Sequence, residues 1–258
     1  MIGTRLRTQL GDALQPPEAW WTRAVGALAV VTVLGVYYGI SEDLPGLPQW
    51  GDVAFLGLGL MPLTFLLVWL ALPLRKTGPR ELAVAAVSLV VLTVIFEWAG
   101  LDIAANFVKI AAVAAVAWWF LGFFEALSWV LLVAVLVIPV DAFSVARGPT
   151  KEIVENQPQV FNALSVSFPL PGQHSSAQLG LPDILFFSLF LAATARFGLR
   201  VGWTWLAMAL SFGTTLALAV GFDVAGLPAL PLLSAAFLLV NADLIWRAYK
   251  DGSARPSK

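Results

Sequence analysis

The feature that most constrains this chain is the recurrence of long apolar runs separated by short polar breaks. Eight such segments can be read, at approximately 24–40, 53–73, 82–98, 103–120, 123–145, 180–196, 200–220 and 228–247. Crossing the hydrocarbon core as a helix takes roughly 20 residues, and each run is near that length, the first and sixth being short. The expected fold is therefore an all-α polytopic membrane protein with about eight transmembrane helices. Only 12% of the 258 residues are charged and 59% are hydrophobic, with a mean hydropathy of +0.85. A soluble domain would carry roughly 25% charged residues. The least certain boundary is at Leu121-Gly122, which alone separates the fourth run from the fifth. Trp20, Trp21, Trp50, Trp98, Trp118, Trp119, Trp203, Trp205 and Trp246 fall near segment ends, as an aromatic belt at the two interfaces requires.

Several function classes drop out on composition. The net charge is −1 and no basic face is available for nucleic acid. There is no cysteine, so disulfides, thiolate metal sites and cysteine nucleophiles are excluded. The single histidine, His174, excludes a multi-histidine metal site, and no cofactor is expected. The polar stretch before the first run does not have the layout of a cleavable signal peptide.

Basic residues set the expected orientation. Arg5, Arg7, Arg23, Arg75, Lys76, Arg80, Arg196, Arg200, Arg247, Lys250, Arg255 and Lys258 all fall on one side of an eight-crossing layout, and Glu42, Asp43, Asp52 and Asp223 fall on the other. Both termini are then cytoplasmic, in the plasma membrane of a prokaryote, and the long connection 146–178 is exterior. The chain divides into a cytoplasmic N-terminal segment (1–23), N-terminal helices (24–121), a second half (122–247) that includes the exterior loop, and a tail (248–258).

Two carboxylates stand out, because an ionisable group inside a bilayer is costly and marks a functional site by default. Asp141 lies in Val137-Ile138-Pro139-Val140-Asp141, about one turn before the long loop; Asp183 lies in Gly180-Leu181-Pro182-Asp183, about one turn after it. Antiparallel helices flanking one loop bring the two acids to nearly the same depth. Two facing carboxylates in low dielectric share a proton. A third stretch, Gly226-Leu227-Pro228-Ala229-Leu230-Pro231, opens the last run at the same side, and its two prolines oppose a regular helix there.

On these three stretches the chain resembles the presenilin and signal peptide peptidase family of intramembrane aspartyl proteases. That family carries a Tyr-Asp pair, a Gly-x-Gly-Asp motif and a Pro-Ala-Leu motif. Here they correspond to Val140-Asp141, Gly180-Leu181-Pro182-Asp183 and Pro228-Ala229-Leu230, and the likeness covers residues 123–247, about half the chain. It implies hydrolysis of peptide bonds within transmembrane segments or signal peptides by Asp141 and Asp183. It also implies contact with substrate at Gly180, Leu181, Pro182, Pro228, Ala229 and Leu230. Val140 replaces the family's tyrosine and Pro182 its second glycine. Pro182 is expected to push Leu181 toward an extended conformation and so break the helix before Asp183. The bland alternative is that both acids cap helix ends near the interface.

The other charges read as structural or as relay groups. Glu97, Asp102, Lys109 and Glu125 sit in or beside the third to fifth runs, and Asp102 and Lys109 share a helix face. They suggest a bundle-stabilising ion pair or, in the alternative reading, a proton-coupled transporter or channel. A third reading is a catalytically silent relative that binds transmembrane segments. Asp243 is expected to snorkel or pair with Arg247, and Gly35 and Gly39 form a small-xxx-small packing signal. His174 reads as a solvated loop residue. The stretch Leu164-Ser165-Val166-Ser167-Phe168 alternates apolar and polar, which suggests either a strand that receives an unwound substrate or an amphipathic stretch on the membrane surface.

Overall fold

A computed structural model describes residues 20–147, 158–224 and 227–250. Arg5, Arg7, Arg255 and Lys258, residues 148–157 of the long connection, and Gly226 lie outside the described residues. The described chain forms α1 (Trp20–Ile40), a long α2 (Gln49–Lys76), α3 (Pro79–Trp98), α4 (Asp102–Leu121) and α5 (Leu127–Arg147). There follow a short α6 (Pro158–Ala163), strands β1 (Ser165–Pro169) and β2 (Ser176–Gly180), and then α7 (Leu181–Arg196), α8 (Val201–Gly221) and α9 (Leu230–Lys250). Each of the eight apolar runs is thus a helix, and the doubtful boundary at Leu121-Gly122 is a true turn: Gly122 caps α4, and α5 starts at Leu127.

The fold is that of an α-helical multi-pass membrane protein. Among the described residues seven helices are long and apolar enough to cross a membrane: α1 to α5, α8 and α9. Their outward faces carry exposed aliphatic side chains such as Val25, Leu28, Val84, Val87, Leu132 and Val135, which suit lipid and not water. Exposed Trp20, Trp50, Trp98 and Trp246 sit at helix ends, as an interfacial belt does.

The remaining apolar run, the sixth, forms α7, which has only 16 residues, about 24 Å of helix against a hydrocarbon core of roughly 30 Å. It is also the most enclosed: Phe187, Ser188, Leu189, Phe190, Leu191, Ala192, Ala193 and Thr194 are all fully buried. A helix apolar on every side belongs inside a bundle. Around it pack α4, α5, α8 and α9. Phe65 of α2 stacks on Phe187 at 4.2 Å and on Phe212 of α8 at 4.8 Å, and Phe190 stacks on Phe237 of α9 at 4.9 Å.

α2 is not a regular helix throughout. Pro62 lacks an N–H and its ring crowds the carbonyl four residues back, so the helix widens into a π turn over Leu56–Leu60. There Gly57 meets Gly213 of α8 so closely that a Cβ on Gly57 would lie 2.6 Å from the Gly213 Cα. Small residues permit such approach between membrane helices. The spacing Gly35/Gly39 does not serve this purpose, since a Cβ on either would meet nothing within 4 Å.

The alternating stretch is a strand, and it has a partner that the alternation did not announce. β1 and β2 pair antiparallel with Val166 opposite Leu179 and Phe168 opposite Ala177. The tip of this hairpin lies on the connection after α1, where Gly172 (φ +67°) donates its N–H to Ser41 O at 2.7 Å. A side chain at Gly172 would collide with the Gly46 N and Leu44 O atoms.

Candidate active site

The hairpin delivers the chain into α7 with Asp183 in the first turn. Gly180 is extended (φ −62°, ψ 143°) and forms the N-cap, and Leu181, Pro182 and Asp183 are the first three helical residues. Pro182 therefore does not hold Leu181 out of the helix, contrary to the expectation drawn from its sequence. It occupies an early helical position, where its missing N–H costs nothing, and the break falls at Gly180. The Asp183 carboxylate turns back against the Gly180 backbone N–H, the return half of a capping box. Its Oδ2 would lie 3.3 Å from a Cβ at Gly180.

Asp141 lies on α5, two residues after Pro139, which removes the N–H that would bond the Val135 carbonyl. Its Oδ2 accepts the backbone N–H of Leu230 at 3.1 Å, the first residue of α9. Asp141 and Asp183 are both half-buried and lie within electrostatic reach of one another. The sequence-derived set thus converges: Asp141 from α5, Gly180 to Asp183 from the start of α7, and Leu230 from the start of α9, with Ala229 buried and Pro228 half-buried beside it. Pro182 is exposed.

Depth follows from helix rise. Asp183 is 13 residues from Arg196 at the far end of α7, and Asp141 is 14 residues from Leu127 at the matching end of α5. Both distances are about 20 Å, less than the roughly 30 Å of the hydrocarbon core. Two acids on antiparallel helices thus come to the same height, each about 20 Å from the opposite end of its helix.

The outer edge of β1 is held by side chains. Tyr37 and Tyr38 of α1 donate their hydroxyls to Pro169 O at 2.7 Å and Ser167 O at 2.8 Å. Asn106 of α4 accepts the Ser167 N–H at 3.3 Å. Lys109, one turn on, donates to Asn162 O at 3.1 Å and Ser165 O at 3.2 Å and pairs with Glu97 at 2.7 Å. The ammonium thus has three acceptors for three N–H groups. The expected partner Asp102 is exposed instead, so the ion pair exists but with Glu97. Sequence reasoning did not single out Tyr37, Tyr38 or Asn106; they form no motif, and their role appears only when α1 and α4 flank one strand.

Among the described residues no further strand pairs with β2, so its other edge is open. Leu181 N–H bonds Leu164 O and Leu170 N–H bonds Ser175 O, so in this register the odd residues of β2 face β1. Ser176, Gln178 and Gly180 then direct their backbone groups outward. The edge runs directly into Gly180, against which Asp183 rests.

Elsewhere the remaining expectations are settled locally. Asp243 pairs with Arg200 at 2.5 Å across α8 and α9, not with Arg247. His174 is exposed, with Nδ1 3.0 Å from Glu42 Oε2. No group of three or more His, Cys, Asp or Glu side chains converges among the described residues. No protein-family model matches the chain, and no curated protein matches it either.

Proposed function

We propose that this protein is an intramembrane aspartyl protease that crosses the membrane eight times and hydrolyses peptide bonds in transmembrane segments or signal peptides. The observation that carries the reading is the meeting of Asp141, Asp183 and the Leu230 N–H at one height, beside a strand with an open edge. One carboxylate, ionised, takes a proton from water as the oxygen attacks the scissile carbonyl. The other, protonated, hydrogen-bonds that carbonyl oxygen and gives up its proton; the tetrahedral adduct collapses with the proton passing to the leaving nitrogen. The pair titrates as a unit, so the roles belong to the dyad. A helical peptide bond is shielded by its own hydrogen bonds. The outward groups of Ser176 and Gln178 offer an unwound segment a strand to pair with, which ends at Gly180 and Asp183. The lipid bilayer is the medium that supplies such substrates. Transport through Asp102 and Lys109 gains no support, since the Lys109 donors are all engaged.

The test is cleavage of a labelled single-span peptide by purified protein in detergent. Asp141→Asn and Asp183→Asn each abolish product while the protein elutes as wild type. Full activity in either single variant overturns the reading. Orientation is read from cysteine accessibility at position 160 and at the C-terminus, expected on opposite sides, with the termini cytoplasmic.

A further inference from the structure

A cavity lies at the end of α7 remote from Asp183, where three helix ends meet. Arg75, near the end of α2, donates Nη2 to Ala195 O at 2.9 Å. Arg196, the last residue of α7, donates Nη1 to Leu121 O, the last residue of α4, at 2.5 Å. Each arginine thus caps a neighbouring helix C-terminus, where unpaired carbonyls call for donors. Both line a cavity of about 490 Å³, together with Thr77, Leu82, Trp118 and Phe123.

Capping does not account for the site. A guanidinium carries five N–H groups, and the carbonyl bond uses one on each arginine. The two cations lie close enough to repel each other. Neither forms an ion pair with a carboxylate among the described residues. A guanidinium can only donate. The cavity wall therefore offers the free guanidinium N–H groups, two positive charges and, among its lining residues, no acid to neutralise them. Its complement is an anion with several acceptor oxygens, for which arginine's planar fork is suited.

We propose that this cavity binds a phosphate-bearing anion, either the headgroup of an anionic lipid or free phosphate. Leu82 and Phe123 add apolar wall beside the two charges, as the junction between a headgroup and its acyl chains requires. Basic pockets between transmembrane helices hold anionic headgroups on this chemistry. The site lies a helix length from Asp183, so it stands or falls independently of the protease reading.

The experiment uses the full chain purified in neutral detergent. Native mass spectrometry counts retained adducts after addition of phosphatidylglycerol, of phosphatidylcholine with the same acyl chains, or of inorganic phosphate. The expected result is retention of phosphatidylglycerol about tenfold above phosphatidylcholine, falling to the phosphatidylcholine level in Arg196→Gln. Arg75→Gln removes the other charge and keeps an amide that can still donate to Ala195 O; it should weaken retention several-fold, and it serves if Arg196→Gln does not fold. Retention of inorganic phosphate with equal weak binding of both lipids assigns the free anion as the ligand. Equal retention of both lipids with no phosphate adduct overturns the proposal, as does a phosphatidylglycerol preference that survives both substitutions.

Discussion

The Asp141 carboxylate accepts the Leu230 N–H at 3.1 Å, which joins the middle of one long helix to the first turn of another. The start of α9 explains why that bond is available. Ala229 accepts the Leu233 N–H through its backbone carbonyl, so it is the N-cap, but it has no side-chain oxygen to offer. Pro231 contributes no N–H at all. The cap is supplied from α5 instead. The small, donor-poor Pro-Ala-Leu-Pro sequence thus has a physical reading: it opens a helix whose first free N–H must find a neighbour's carboxylate.

This separates structure from chemistry at Asp141. Asparagine retains an oxygen that can accept the Leu230 N–H, whereas alanine does not. Asp141→Asn should unfold at the wild-type temperature, and Asp141→Ala should lose about 1 kcal/mol, the usual cost of a missing cap. Thermal unfolding in detergent measures both. Wild-type stability in the alanine variant would mean that the bond to Leu230 contributes little. Neither variant should cleave peptide.

The position of Pro182 changes what its substitution predicts. Because α7 already begins at Leu181, an alanine at position 182 leaves the helix start where it is. Gly180 is the sensitive site, since Asp183 folds back over it with an oxygen 3.3 Å from where a Cβ would stand. A branched side chain must push that carboxylate aside. Cleavage by Pro182→Ala should stay within a few-fold of wild type, and Gly180→Val should lose at least tenfold. The reverse order would return the helix break to the proline.

The helices were legible because lipid demands long apolar runs, and nothing in solution imitates them at this density. Strand β1 was legible from its alternation. β2 was not, since Ser176-Ala177-Gln178-Leu179-Gly180 contains a single large apolar side chain and takes its form from its partner. Asp141 and Asp183 could be paired from the loop between them, because antiparallel helices fix depth. The partners of Lys109 and Asp243 could not. Both acids, Glu97 and Arg200's partner Asp243, meet their bases across helices, while the sequence argument looked along one helix. Spacing within a helix says which residues share a face, but not which neighbour that face meets.

Lys109 supplies a third prediction. Replacing it with methionine leaves Glu97, Asn162 O and Ser165 O without their donor. Breaking a buried pair costs about 3–5 kcal/mol, and partial exposure of Glu97 lowers this to roughly 1–3. The loss should be local. Hydrogen exchange in residues 164–169 should accelerate in Lys109→Met more than in α8, whereas uniform acceleration would show that Lys109 supports the whole bundle and not the strand.

The contact between Gly57 and Gly213 gives the last. A Cβ on Gly57 would lie 2.6 Å from the Gly213 Cα, and one on Gly213 would lie 2.8 Å from the Gly57 Cα. Those neighbours are backbone, which cannot rotate away, so α2 and α8 must separate. Forcing extra volume into a packed contact costs about 1–3 kcal/mol. Gly59 sits in the same π turn but would meet nothing within 4 Å, so Gly59→Ala controls for the change in backbone freedom alone. Gly57→Ala and Gly213→Ala should each lower the unfolding temperature, and Gly59→Ala should leave it unchanged or raise it slightly. The double variant Gly57→Ala/Gly213→Ala should lose less than the two single losses added, since one separation of the helices relieves both clashes. Equal effects at Gly57 and Gly59 would show that the close approach of the helices does not set their stability.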